Sequence, residues 1–558
     1  MEILRFGVAG LLGCVGALAV SIHPTFAQLT PDNTLGIERS QVVPIDKDND
    51  RIGGGAARGI NLFHSFQDFN VGVGRGVYFA NPEGITNIFS RVTGGNSSNI
   101  FGTLGVSGNA NLFLLNPNGI VFGKNAQLDI QGSFLWTTAN SLVFANGVEF
   151  SATNPQAPPL LAINVPIGLQ FGSQPGSITS QAVIRNSQGN AVGGLSVGSG
   201  STLALMGGEI ALDDSYLSTQ NGQVKLGAVG GDTTVGLNVN GSSLGFKFPE
   251  NFGRAAINLT NGRIFATGGN SAIELFGGKI GLNGNRSYLF SLNGGSIVVD
   301  ATQLNLDNGA GIGSATSGAA KGGDIQIQAS DAVTFANNSR IFSQSRANAT
   351  GAGGDITLNI ADLLLLRRGG LISTTAGRSQ AGGDGGNINI NSKFIVAIPE
   401  ENSDISANAY SGTGGNVQIN SQGIFGIESR PKPTEKSDIT ASSELGVSGV
   451  IKINAPDTSS IQNSFTELSA NVMDTDALIA NSCISRSPKQ EGTFFITGSG
   501  GLRNSPGDEL ISIYSTGEVR SVNDKTSRTW KKGDRIVEPQ GVYRLADGRL
   551  VLSRECQL

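Results

Sequence analysis

Between residues 294 and 454 the chain keeps returning to one pattern, a glycine pair and a polar residue followed by alternating apolar positions. The starts read Gly294-Gly295-Ser296-Ile297, Gly322-Gly323-Asp324-Ile325, Gly353-Gly354-Asp355-Ile356, Gly385-Gly386-Asn387-Ile388 and Gly414-Gly415-Asn416-Val417, with a degenerate return at Ser448-Gly449-Val450-Ile451. They lie 28, 31, 32 and 29 residues apart, a period that belongs to solenoids, in which no unit buries a core alone. Inside a unit the period is two: Ile325, Ile327 and Ala329, then Val333 and Phe335, then Ile341 and Ser343. Each run therefore buries one face of a strand, and three runs per unit predict a three-sided coil. The fold class that follows is all-β, a right-handed parallel β-helix with a small C-terminal β module. The paired glycines are read as corners needing positive φ, and Asn337-Asn338 as turn chemistry of the same kind.

Residues 195 to 290 show the same style less regularly, with Gly207-Gly208-Glu209-Ile210 and Gly277-Gly278-Lys279-Ile280. A helix over residues 30 to 455 would hold about 14 to 21 coils and reach roughly 70 to 100 Å. Composition fits, since glycine reaches 81 residues without a three-residue period while charged residues are 15% and aromatics 6%. After about residue 455 the repeat stops, and Val542 to Leu552 reads as strand, Asp547-Gly548 turn and strand. The expected division is a signal peptide over 1–27, a first domain over 28–172, β-helix repeats over 173–455 and a C-terminal module over 456–558.

The net charge of −5 offers no basic field for nucleic acid, which is excluded as an expected partner. Only His23 and His64 are present, too few for a multi-histidine metal site, and neither a metal nor a cofactor is expected. Met1 to Ala27 reads as an export signal, with Arg5, an apolar run from Phe6 to Ile22 and cleavage between Ala27 and Gln28. A lipoprotein signal ending at Cys14 would leave too short an apolar run before the thiol. In an exported chain Cys483 and Cys556 are read as one disulfide, with free thiols or an intermolecular link as alternatives.

Residues 61 to 172 carry a series of short motifs: Asn61-Leu62-Phe63-His64-Ser65-Phe66, Asn87-Ile88-Phe89-Ser90-Arg91-Val92-Thr93-Gly94-Gly95, Ile100-Phe101-Gly102-Thr103-Leu104, Asn111 to Gly123, and Val165-Pro166-Ile167-Gly168-Leu169. In this order and just after a signal, they closely resemble the filamentous haemagglutinin N-terminal domain, also called the two-partner secretion or haemagglutination activity domain. The second short motif of that family, Asn-Pro-Asn-Leu, is absent. The resemblance implies a secreted or surface-attached exoprotein that crosses the periplasm and leaves through a paired outer-membrane transporter. It also implies an adhesive or surface-coat rod, with surface glycans or receptors on host or neighbouring cells as partners. Asn116-Pro117-Asn118-Gly119 is a turn on its own chemistry, because Pro117 presets φ and Asn118 and Gly119 tolerate the left-handed region. The resemblance implies that this turn is read by the transporter. Asn81-Pro82-Glu83-Gly84 repeats the pattern at another corner.

No catalytic residue is assigned. His64 falls within a strand pattern, where packing explains it. Gly53 to Gly55 lack the Gly-Lys-Ser/Thr and helix pattern of a phosphate loop. Asp324 and Asp355 could suggest calcium, but the repeat spacing that makes such sites convincing is missing. The rival function is a β-helical polysaccharide lyase or hydrolase using Asp213-Asp214, which requires the pair to sit on a bend because neighbours on a strand face opposite ways. A one-chain autotransporter would need a C-terminal barrel of about a dozen long strands, for which residues 456 to 558 are too few.

Overall fold

The computed structural model describes residues 29–145, 147–157, 165–346, 349–377, 382–456, 479–484, 486–495, 515–522 and 539–555. They fall into two compact units, residues 1–458 and 459–558.

The first unit is a parallel β-helix. One ladder of in-register neighbours runs through Leu62, Ile88, Leu112, Phe134, Leu203, Val224, Ile273, Ile297, Ile325, Ile356, Ile388, Val417 and Ile451. All but the last are buried. Every return of the glycine-pair motif occupies the same rung position, so the repeat and the coil coincide. The coil is three-sided: Ile325–Phe335 makes two sides and Arg340–Ser345 the third. The third side forms a ten-stranded sheet over the later coils. Ile325, Ile327, Ala329, Val333, Phe335, Ile341 and Ser343 are all buried, as the period of two requires.

Three details differ from expectation. The glycine pairs at 207–208 and 277–278 are not coil starts. Ile210 and Ile280 align through Ile257 with Leu304 and Val333, so these pairs mark the bend between the first and second sides. The repeat glycines are also selected mainly by closeness rather than by positive φ. Gly294 alone among the paired glycines of the repeat has positive φ, at +95°, and Gly295, Gly322, Gly323, Gly353, Gly354, Gly385, Gly386, Gly414 and Gly415 do not. A β-carbon on Gly323 would overlap the carbonyl oxygen of Gly295, and one on Gly386 that of Gly354. The ladder of thirteen rungs is also shorter than chain length suggested, because long excursions leave the helix.

Those excursions build a second layer. Glu149–Ser151, Ser141–Phe144, Pro166–Phe171, Thr233–Asn240 and Ser243–Lys247 form an antiparallel five-stranded sheet. With the outward residues of the early coils it encloses a second core containing Phe63, Phe89, Phe113, Phe144, Phe150, Phe171 and Met206. At the N-terminal end the free edge of Asn61–Phe69 is closed by two short antiparallel strands, Leu29–Pro31 and Ala56–Arg58. Closing that edge removes a row of unpaired backbone groups.

In the second unit, Ile479–Ile484, Leu550–Glu555, Gly541–Arg544, Ser515–Val522 and Arg486–Phe495 form one sheet in that order. Gly541–Arg544 and Leu550–Glu555 are the expected hairpin, with Gly548 at φ +86° and Arg549 N–H donating to Asp547 Oδ1 at 3.1 Å. Cys556 and the cleavage site at Ala27 and Gln28 lie outside the described residues, and with them the disulfide and signal assignments.

Candidate functional site

The Asn116 turn ends the strand Asn111–Leu115 and joins three coils. Asn116 is completely buried. Its amide donates to the Asn96 carbonyl at 3.0 Å and to Ser98 Oγ at 2.9 Å, while its Oδ1 accepts the Asn118 N–H at 3.0 Å. Gly119 follows at φ +109°, and the next coil closes on the turn through Gly176 N–H to the Pro117 carbonyl at 3.0 Å. Asn118 is exposed and Pro117 half-buried, although Asn118 Nδ2 still reaches the Gly94 carbonyl at 2.7 Å. Asn116 and Gly119 are thus buried at the corner, while Pro117 and Asn118 lie at its surface.

Beside this corner lies a buried polar clamp that the sequence reading missed. Arg91, fully buried, donates through Nε to Ser65 Oγ at 3.0 Å, through Nη1 to the carbonyls of Ser151 and Gln156 at 3.0 Å, and through Nη2 to Thr34 Oγ1 at 2.8 Å. Its guanidinium sits 4.4 Å from the centre of the Phe150 ring. Burial pushes its pKa down to about 10, with Asp32 acting in the opposite direction. Asp32 accepts from Thr34, Ser65 and Thr93. Burial works to raise its pKa, but those hydrogen bonds outweigh burial and hold it below the ordinary carboxylate range. Arg91 and Asp32 thus tie the segment after the edge-closing strand, two coils and the second layer together, through the shared Ser65 and Thr34 hydroxyls and the Ser151 carbonyl. The available signal was a lone arginine inside the buried run Asn87–Val92.

A second missed feature repeats in the sequence. Asn61, Asn87 and Asn111 each begin an Asn-aliphatic-Phe triplet and occupy one ladder. Asn87 Nδ2 donates to Asn61 Oδ1 at 3.0 Å, Asn111 Nδ2 to Asn87 Oδ1 at 2.9 Å, and Ser133 N–H to Asn111 Oδ1 at 2.8 Å. Stacked amides keep the early coils in register while satisfying one another inside the protein.

The other candidates are placed as follows. His64 is fully buried, with Nδ1 3.1 Å from Ser40 Oγ, and burial lowers its pKa to about 3. It sits in the helix interior, with its ring 5.3 Å from that of Phe79. Gly53 and Gly54 close the strand Asn49–Gly54 and lead into another strand, not a helix. Asp214 does sit on a bend, at φ +49°. It is ion-paired with Arg185, however, and Gln181 Nε2 donates to Asp213 at 3.2 Å, so each carboxylate serves a neighbouring turn rather than one side of a common cleft. Asp324 and Asp355 belong to a staircase between coils. Asp355 N–H donates to Asp324 Oδ1 at 2.8 Å, Asn387 N–H to Asp355 Oδ1 at 2.7 Å and Asn416 N–H to Asn387 Oδ1 at 3.0 Å, while Lys321 bridges both aspartates.

Residues 27–282 match the TPS secretion domain, which extends beyond the motifs ending near residue 172 and takes in the whole second layer. A stretch of 82 residues is 33% identical to the heme/hemopexin-binding protein of Haemophilus influenzae, covering 15% of this chain and 9% of that protein. The HMW1 secretion domain of Haemophilus influenzae superposes with a TM-score of 0.54 at 18% identity, over 76% of this chain and 100% of that one, a likeness of fold. A filamentous hemagglutinin secretion domain aligns at a TM-score of 0.29 and adds no argument.

Proposed function

We propose that the chain is a non-enzymatic exoprotein exported by two-partner secretion, in which a paired outer-membrane transporter reads the N-terminal coils in the periplasm. The observation that carries this reading is the match of residues 27–282 to the TPS secretion domain. The accessible part of the corner, half-buried Pro117 and exposed Asn118, is the surface assigned to that contact, and the buried Asn116 fixes its geometry. The chain crosses unfolded and winds up coil by coil outside, which suits a solenoid because each coil needs only its neighbour as a template. Between Ala27 and Cys483 there is no cysteine, so no disulfide can lock the coils before they thread. The repeat then forms a secreted or surface-attached rod with an adhesive or coating role toward glycans or receptors on other cells. Deleting the gene for the paired transporter tests the export step. Accumulation of the chain in the periplasm with none in the medium or on the surface is expected, and undiminished release overturns the reading.

A further inference from the structure

The ten-stranded sheet carries on its outward side a feature that export does not use. Its ladders place Arg263, Tyr288 and Arg340 in one outward column, and Phe265, Phe290 and Phe342 in the next. The intervening strand contributes Gly311 and Gly313 to these columns, and their missing side chains leave the space into which Tyr288 and Phe342 lie. The Phe265 and Phe290 rings are 5.5 Å apart and within 5° of parallel, both half-buried rather than covered. Arg340 and Arg346 are exposed. The Arg340 guanidinium lies 5.1 Å from the centre of the Phe342 ring and donates to the Tyr288 hydroxyl at 2.9 Å, and that of Arg346 lies 5.6 Å from the centre of the Phe290 ring.

We propose that this face is a binding track for an acidic polysaccharide in which uncharged sugars separate the carboxylate-bearing ones. Apolar sugar faces would lie against the half-buried Phe265 and Phe290 rings, and carboxylates would meet the arginine forks, whose planar donors fit them. A polymer running along the helix axis meets a new coil at each strand spacing, about 4.8 Å. Arg263 and Arg340 are three strands apart, so the charges of this column recur only after about 14 Å. Each strand of a nucleic-acid duplex carries a phosphate about every 3.4 Å of its axis, far denser than this column can match. A peptide adding as a strand needs an open sheet edge, whereas the strands of this face are paired on both sides. A second copy of the same face would set arginine against arginine.

The probe is immobilised hyaluronan, which alternates uronate and N-acetylhexosamine, with the full-length mature chain in solution. Retention that weakens with salt is expected, and Arg340→Gln combined with Arg346→Gln should reduce affinity at least about tenfold. Phe290→Ser should do the same, while Lys279→Gln, which removes one positive charge from another side of the helix, should change nothing. Because both exposed arginines can be replaced without opening the core, equal melting temperatures keep the double variant interpretable if Phe290→Ser fails to fold. No retention of the unmodified chain, unchanged binding by the double arginine variant, equal binding to single-stranded DNA, or self-association lost in that variant would each overturn the proposal. Export is measured separately and does not enter the result.

Discussion

The early coils and the repeat coils share one ladder but have different surroundings. In the strands Asn61–Phe69, Asn87–Val92 and Asn111–Leu115 nearly every residue is buried, because the helix interior takes one face and the second layer takes the other. In Ile325–Phe335 and Ile356–Leu366 burial alternates with exposure, because the outward face meets water. The same backbone thus supports two sequence styles, continuous apolar runs where two cores meet and clean alternation where one does.

The largest effect should come from charges at consecutive positions. Leu112→Asp and Phe113→Asp should each cost more than about 4 kcal/mol, since both side chains are fully buried on opposite faces. In the repeat, Ile356→Asp should be as damaging while Thr357→Asp stays within about 0.5 kcal/mol. Urea midpoints of the four variants check this, and equal tolerance of Phe113→Asp and Thr357→Asp would erase the distinction between the regions.

Next comes the clamp. Arg91→Met strands Asp32 among its hydroxyl donors without a nearby cation and should cost about 3 to 5 kcal/mol. Adding Asp32→Asn should recover part of that loss, a coupling that a double-mutant cycle measures. No coupling would mean that the two charges act independently.

His64 provides a pH signature confined to the early coils. Its folded-state pKa, lowered to about 3 by burial, lies below the 6.5 of an unburied histidine. The unfolded chain therefore takes up the proton first as pH falls. The stability tied to neutral His64 is complete above pH 6.5 and is lost progressively toward pH 3, by up to a few kcal/mol. His64→Gln should flatten that part of the profile, and an identical acid dependence in the variant would remove His64 as its source.

The smallest effects on stability belong to the corner. Asn116→Ala leaves buried partners unpaired and should cost about 1 to 3 kcal/mol, whereas exposed Asn118→Ala should cost under about 1 kcal/mol. If Asn118 is part of the transporter contact, its replacement should lower release more than its stability cost explains. Normal release of Asn118→Ala would leave the corner only a structural role.

What could be read from sequence follows the same division. The coil, its period and the inward residues from Ile297 to Val417 were legible because water on one face enforces alternation. The second layer was not, since a strand such as Pro166–Phe171 pairs with the distant Thr233–Asn240 and its apolar positions have no local period to announce that partner. Arg91 was passed over for a related reason: its partners lie 26 to 65 residues away, on segments with no motif in common. The Asn116 turn was legible as a turn, but its division into a buried and an exposed asparagine depends on the neighbouring coils, which local turn chemistry does not include.

On the proposed function the covered coils, and not the repeat, carry the information for export. The direct measurement is the fraction released, in cells holding the paired transporter, by two truncated chains: one ending after residue 282, the limit of the family match, and one joining residues 1–28 to residue 283 onward. Release of the first and periplasmic retention of the second is the predicted result. Release of the second chain to the same extent as the first would contradict the claim.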